Sequence, residues 1–364
     1  MTKFYRLISI SVVAFFFGLI MPAWADAQTR DPVVEVVAAG LEVPWSMAFS
    51  PDGRLFLAER PGRIRVVNQE GLRGEPWITL PVSSPPGSEA GLMGLAIDPS
   101  FVRNPYVYAC YSYRSRAGSI LNRIVRLTDG VDGGGEEIVL LDSIPGGRFH
   151  NGCRLGFGPD GMLYATTGDG TDEDLAQDLE SVAGKVLRMR PDGGVPSDNP
   201  FPGSLVWSLG HRNAQGIAWQ PGTGSLWATE HGSSDYNELN RIDPGTNYGW
   251  PLVRAEAQSG GFEPPVFHLR DIPPAGAAFI TGGRYPDFEG DLAFTVLGTG
   301  SLMVARVDDN TQVAGLEWVI DERFGRLRDV VLGPDGYLYL ATSNRDQIGD
   351  PRPGDDHVLR ILSF

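Results

Sequence analysis

Six times along this chain a short apolar stretch enters a Pro/Asp/Gly turn and leaves as an alternating apolar-polar stretch, and this repetition constrains the fold more than any other feature. The clearest copies are "SPDGRLFLAE", "GPDGMLYATT" and "GPDGYLYLAT", with turns opening at Pro51, Pro159 and Pro334. Looser copies are "DPSFVRNPYVYAC" at Pro99, "QPGTGSLWATE" at Pro221 and "YPDFEGDLAFTVL" at Pro286. Each reads as strand, turn, strand. The prolines are 48, 60, 62, 65 and 48 residues apart, the scale of one four-stranded sheet with its loops. Helical periodicity is lacking; only Asp172 to Lys185 offers a turn or two. A pair of packed sheets could also use such strands, but even repetition favours a ring. The expectation is therefore an all-β fold, a six-bladed β-propeller of four-stranded antiparallel blades. Because a ring must protect its edges, the N-terminal "PVVEVVAA" is predicted to pair with the C-terminal "HVLRILSF".

The first 25 residues carry Lys3 and Arg6, an apolar run from Leu7 to Leu19, then Ala23-Trp24-Ala25, the order of a secretory signal peptide cleaved after Ala25. The run is shorter than the roughly 20 residues of a membrane-spanning helix. No stable membrane insertion is expected, and residues 26–364 are assigned to a single propeller in the bacterial periplasm or outside the cell. Processing removes two of the 30 basic residues and none of the 45 acidic ones, leaving a formal charge of −17. That balance argues against a nucleic-acid partner, which would need a basic stripe. Lys185 is then the only lysine, so any lysine-based covalent chemistry would depend on it. Cys110 and Cys153 suit either one disulfide or two small buried apolar side chains, and the sequence leaves both open. It also leaves open monomer or homodimer.

Propeller loops at one end of the central channel build the site. His150 and Asn151 stand just before the inner strand of the third unit, and Arg212 and Asn213 hold the same place in the fourth. Glu89 does so in the second, Arg326 and Arg328 in the sixth. Four blades thus send polar groups toward one channel mouth. Histidine, whose unperturbed pKa lies near neutrality, is a residue type suited to general-base work, although lone histidines also serve structure. Arg326 and Arg328, two apart, share a strand face and form a fork for a ligand with several carboxylates; the plainer use is an ion pair with Asp329 or Glu322. The densest polar stretch, Thr229 to Pro251, offers Glu230, Asp235, Asn237, Glu238 and Asp243 to a calcium ion, or is simply a long solvated loop. Asp169 to Glu180 imitates an EF-hand, but Asp174 stands where that loop needs glycine.

Taken together, "VPWSMAFSPDGRLFLAER", "GLMGLAIDPSF", "FHNGCRLGFGPDGMLY", "GKVLRMRPDGGVPSDNPF", "SLGHRNAQGIAW", "TEHG…NELN…NYGWP" and "GRLRDVVLGPDGYLYLAT" resemble the soluble, pyrroloquinoline quinone (PQQ)-dependent aldose dehydrogenases of the glucose/sorbosone dehydrogenase family. The resemblance runs through nearly all of residues 26–364 in the same order, and it too implies six blades. By resemblance, His150 is the general base that takes the proton of an aldose's anomeric hydroxyl while hydride passes to the quinone, which yields a lactone. Arg212 and Asn213 match the pair on the quinone oxygens, Arg212 beside His150 at the catalytic centre. Glu89, His150 itself, Arg326 and Arg328 match cofactor-contacting positions. Gly232 and Ser233 match carbonyl ligands of a calcium ion on the cofactor, and Asn237, Glu238 and the Tyr248 carbonyl match a second, structural calcium. The implied partners are a small aldose and a periplasmic electron acceptor.

Three departures accompany the resemblance. Glu89 stands where the family has a glutamine, which brings a negative charge toward a tricarboxylate. Gly298 stands where a fifth-blade lysine is implied, and Phe149 precedes the base in place of Asp or Asn. Losing one charge-assisted contact costs about 1.5–3 kcal/mol, or roughly 10- to 150-fold in affinity. The departures motivate a rival expectation, a non-redox propeller that has lost PQQ and serves as a calcium-stabilised sugar- or partner-binding module. A lactonase, the third reading, needs a catalytic metal held by side chains in the channel.

Overall fold

The computed structural model describes residues 31–233, 236–254, 260–308 and 310–364; the signal segment 1–25 and Asp235 of the polar loop lie outside the described residues. Six antiparallel sheets follow one another around a ring. Their first strands, Pro44–Phe49, Leu92–Ile97, Gly152–Phe157, Ala214–Trp219, Pro274–Phe279 and Leu327–Leu332, are innermost, each packed beside the next. Each sequence repeat maps onto one blade. In the first blade the outermost position is shared by two short strands, Gly71–Leu72 and Ile78–Thr79, both paired with Arg63–Asn68. The sixth blade closes the ring as the sequence predicts, with Val33–Ala38 antiparallel to Val358–Ser363. The helical turn foreseen after Asp172 is a single 3-10 turn, Glu173–Ala176.

Alternating side chains give each sheet two apolar faces, and these meet between blades. Six separate clusters result, one per interface: Phe56, Val66, Val107 and Val125 lie between the first and second blades, and Met93, Tyr108, Leu155 and Leu187 between the second and third. Burial of each such side chain contributes about 1.5–3 kcal/mol, so stability is distributed around the ring rather than held in one centre. The inner strands approach closely enough to require glycine: a Cβ at Gly94 would lie 2.0 Å from the Cys153 carbonyl oxygen of the next blade.

The question left open by the two cysteines is resolved, because Cys110 and Cys153 form a disulfide. It ties the second strand of the second blade, Tyr106–Arg114, to the inner strand of the third. Lys185 is fully buried, and its ammonium donates to the carbonyls of Leu175, Ala176 and Ala183 at 2.7, 3.0 and 2.7 Å. Burial pushes its pKa down to about 8. It braces the loop after the 3-10 turn.

Candidate active site

All six inner strands begin with a register irregularity, at Pro44/Ser46, Leu92/Leu95, Gly152/Leu155, Ala214/Gly216, Pro274/Ala277 and Leu327/Asp329. Bulges turn side chains out of the regular alternation. Here they do so at the same end of every blade, and the sequence-predicted residues sit at or beside them. The second strand of each blade runs antiparallel to the first, so the residues one to four positions past its end reach the same mouth. Arg60, Asp169, His231 and Asp346 arrive that way and were missed in the sequence. The signal was present: each stands just beyond the alternating stretch of a repeat.

His150 is held from three sides. Its backbone N–H donates to Glu89 Oε2 at 2.9 Å, and its Nδ1 lies 2.8 Å from Asp169 Oδ1. A carboxylate accepts from Nδ1–H and so leaves the Nε2 lone pair available; Nε2 has no partner among the described residues. Asp169 is itself fixed by Trp250 Nε1 at 3.0 Å and by the N–H of Thr171 at 2.8 Å. The third hold on His150 is steric. Its backbone is left-handed, with φ 58°, and its carbonyl oxygen lies where a Cβ on Gly168 would be, 1.9 Å away. Gly168→Ala is therefore expected to cost about 1–3 kcal/mol through overpacking and to shift the His150 imidazole NMR resonances; an unshifted spectrum with unchanged denaturation would refute that coupling.

The residues beside the histidine form a connected network. Asp169 N–H donates to the Arg212 carbonyl at 2.9 Å. Asn213 Oδ1 accepts from Gly152 N–H and from Gln215 Nε2, each at 3.0 Å. Gln215 Oε1 in turn accepts from Arg328 Nη1 at 3.1 Å. The guanidinium of Arg212 donates to the His231 carbonyl and lies over the Trp250 ring, and that of Arg328 lies over Trp45. Arg326 pairs with Asp346 at 2.8 Å and donates to the Leu297 carbonyl at 3.0 Å. Neither Asp329 nor Glu322 is its ion-pair partner; Asp329 pairs with Arg154 at 2.9 Å.

Burial dominates the electrostatics here. It lowers the pKa of Arg60 and Arg212 and pushes Arg328 down to about 10, with Arg326 and Arg60 adding repulsion at Arg328. His231 is driven to about 4 by burial and by Arg328 and Arg212, so it is neutral as its ring nitrogen meets the Pro274 carbonyl at 2.6 Å. Asp346 offsets this field most at Arg60 and Arg328, Asp169 and Glu230 at Arg212, and Glu89 at His231; Glu89 also acts on each of the three arginines. Two buried donors of the network, Arg328 Nε and Asn213 Nδ2, have no hydrogen-bond partner. Unspent donors beside desolvated cations match a ligand rich in anionic and carbonyl oxygens. The residues present therefore fit a quinone tricarboxylate.

The calcium positions divide. Asn237 and Glu238 are adjacent on the strand Tyr236–Ile242, so their side chains take opposite faces. Asn237 Oδ1 accepts from the Gly232 N–H at 3.3 Å, and the Ser233 carbonyl accepts from Tyr236 N–H. Glu238 lies directly across from Glu230, and both accept from Asn240 Nδ2. Tyr248 joins that side, its ring stacked on His211, which bonds Glu230 at 2.8 Å. Burial and the nearby Glu230 push Glu238 up to about 8, the condition of a carboxylate short of positive charge. Among the described residues no three acidic, histidine or cysteine side chains gather as a metal site; donors here would be largely backbone carbonyls. Glu230 belongs to this group as well, and it also accepts from Arg212 N–H.

A six-bladed propeller whose channel mouth joins a carboxylate-held histidine to a cluster of desolvated arginines offers a setting suited to an anionic ligand. Comparison with known proteins gives the class a name. The glucose/sorbosone dehydrogenase family profile matches residues 41–349. The chain is 30% identical to the aldose sugar dehydrogenase YliI of Escherichia coli over 88% of its length and 91% of the relative's. It is 31% identical to quinoprotein glucose dehydrogenase B of Acinetobacter calcoaceticus over 66% of its length and 56% of the relative's. The PQQ-bound aldose sugar dehydrogenase of Streptomyces coelicolor superposes with a TM-score of 0.81 at 37% identity, covering 92% of this chain and 98% of that one. The chain belongs to the glucose/sorbosone dehydrogenase family. Membership does not favour the non-redox reading.

Proposed function

We propose that this protein is an exported quinoprotein that oxidises aldoses at the anomeric carbon to lactones, with PQQ as cofactor and His150 as general base. The observation that carries the proposal is the His150–Asp169 pair at 2.8 Å, which faces an arginine-lined mouth with Nε2 uncommitted. The chemistry PQQ supplies when bound is acceptance of the hydride released from the sugar's C1. His150 Nε2 takes the proton of the anomeric hydroxyl, and Asp169 stabilises the imidazolium that forms. Arg212 and Asn213 supply donors to the quinone oxygens, and Arg326 and Arg328 hold carboxylates.

Calcium would be a second cofactor: the carbonyls of Gly232 and Ser233 would hold one ion, and Glu238 and the Tyr248 carbonyl a separate one, with Asn237 on the opposite face of the strand from Glu238. When bound it would polarise a carbonyl as a Lewis acid. Electrons leave to a periplasmic acceptor or an artificial dye. The disulfide supports an oxidising compartment, and no helix among the described residues is long and apolar enough to cross a membrane.

Purified protein given PQQ and calcium is expected to bleach a redox dye upon addition of an aldose; no turnover across a panel of aldoses would overturn the proposal. Glu89 provides a second check. Glutamine there keeps the acceptor for His150 N–H yet removes a negative charge from the arginine cluster. Glu89→Gln is expected to tighten PQQ binding about tenfold, a change of ~1.4 kcal/mol, in an absorbance titration. Weaker binding would mean that the carboxylate is needed to hold the arginines in place.

A further inference from the structure

Arg60 is the least paired cation in the mouth. It is 8% exposed, yet its guanidinium makes one long hydrogen bond, 3.5 Å to the Asp346 carbonyl, and no ion pair within 4 Å among the described residues. Arg326, by contrast, pairs with Asp346 and reaches a carbonyl, and Arg328 has Gln215 and the Trp45 ring. Burying a cation without a partner is costly, and the fold is arranged around doing so. Arg60 bridges two blades through its backbone, with its N–H on the Val43 carbonyl and its carbonyl taking Leu92 N–H. Its stem then crosses Gly91, where φ is 149° and a Cβ would lie 2.6 Å from Arg60 Cγ. That Cβ would also lie 2.3 Å from the Arg60 carbonyl oxygen, so a larger residue there would have to displace Arg60.

The destination is shared. Asp346, Glu89, Arg326 and Arg328 all interact electrostatically with Arg60. Arg326 reaches the Leu297 carbonyl, next to Gly298 of the fifth blade, which offers no cation there; Arg60 brings one from the first blade.

We infer that Arg60 is a cofactor-binding residue, the first blade's contact for a carboxylate of the bound quinone beside Arg326 and Arg328. This rests on the quinoprotein reading. Asp346, Glu89 and Glu42 act on Arg60 without pairing with it, and the carboxylate then provides the direct ion pair that Arg60 lacks among the described residues. A buried cation held for a ligand and one held for structure differ in what their removal does to the empty protein.

The experiment pairs a PQQ titration in calcium, followed by absorbance, with thermal unfolding of cofactor-free protein, for wild type, Arg60→Gln and Arg60→Lys. Expected is a 10- to 100-fold loss of PQQ affinity in Arg60→Gln, largely restored in Arg60→Lys, while the cofactor-free melting temperature holds or rises. Unchanged affinity in Arg60→Gln would overturn the inference and leave the function intact. A cofactor-free melting temperature that falls in both variants would also overturn it, marking Arg60 as structural. Failure of wild type to bind PQQ would sink the quinoprotein reading itself.

Discussion

Replacing His150 by alanine is expected to lower kcat for aldose oxidation by roughly 10²- to 10⁴-fold, while PQQ titrates as in wild type. The split follows from what the side chain does. Its Nδ1 is spent on Asp169 and its peptide N–H on Glu89; only Nε2 is without a partner among the described residues, and a proton acceptor contributes chiefly to the barrier rather than to the resting cofactor complex. The backbone N–H survives in alanine, so the Glu89 contact persists. Asp169→Asn is expected to reproduce part of the loss, since a neutral acceptor stabilises the imidazolium less. Steady-state kinetics with a dye acceptor decide the matter: more than a tenth of wild-type kcat in His150→Ala would remove the residue from the role of base.

The second large effect is on stability. Cys110 and Cys153 close a loop of 43 residues, and the chain-entropy account gives about 4 kcal/mol for a loop of that length. Cys110→Ala/Cys153→Ala is therefore expected to unfold at markedly lower denaturant, and reduced wild type should match it. The position adds a functional consequence. Cys153 lies three residues after the base, at the mouth end of the inner strand, so the bridge clamps the strand that carries His150 to the neighbouring blade. A loss below about 1 kcal/mol would show that residual structure in the unfolded chain already limits the entropy it gains.

Much of this protein is legible in its residues because its code is local. A Pro/Asp/Gly turn between two apolar stretches is a short-range signal, and its sixfold recurrence counts the blades without knowledge of any contact. Edge protection then forces the N-terminal strand onto the C-terminal one. Placing Glu89, His150, Arg212, Asn213, Arg326 and Arg328 at one mouth needs only strand direction. The acid that serves His150 was less visible, because Asp169 sits in a run that imitates a calcium loop. Its reach to the histidine depends on the antiparallel return of the second strand and on the absence of a side chain at Gly168.

What the sequence by itself determined, then, is periodicity: strand, turn, blade number, closure and the end of the channel where polar groups collect. Only the tertiary structure decided partnership. Whether Cys110 meets Cys153, whether Glu238 faces Glu230 while Asn237 faces away, and whether Arg60 arrives without a direct ion pair are set by contacts between residues 8 to 286 positions apart. Those contacts depend on blade twist and on bulges that redirect side chains by a fraction of a turn, and no pattern of period two records them.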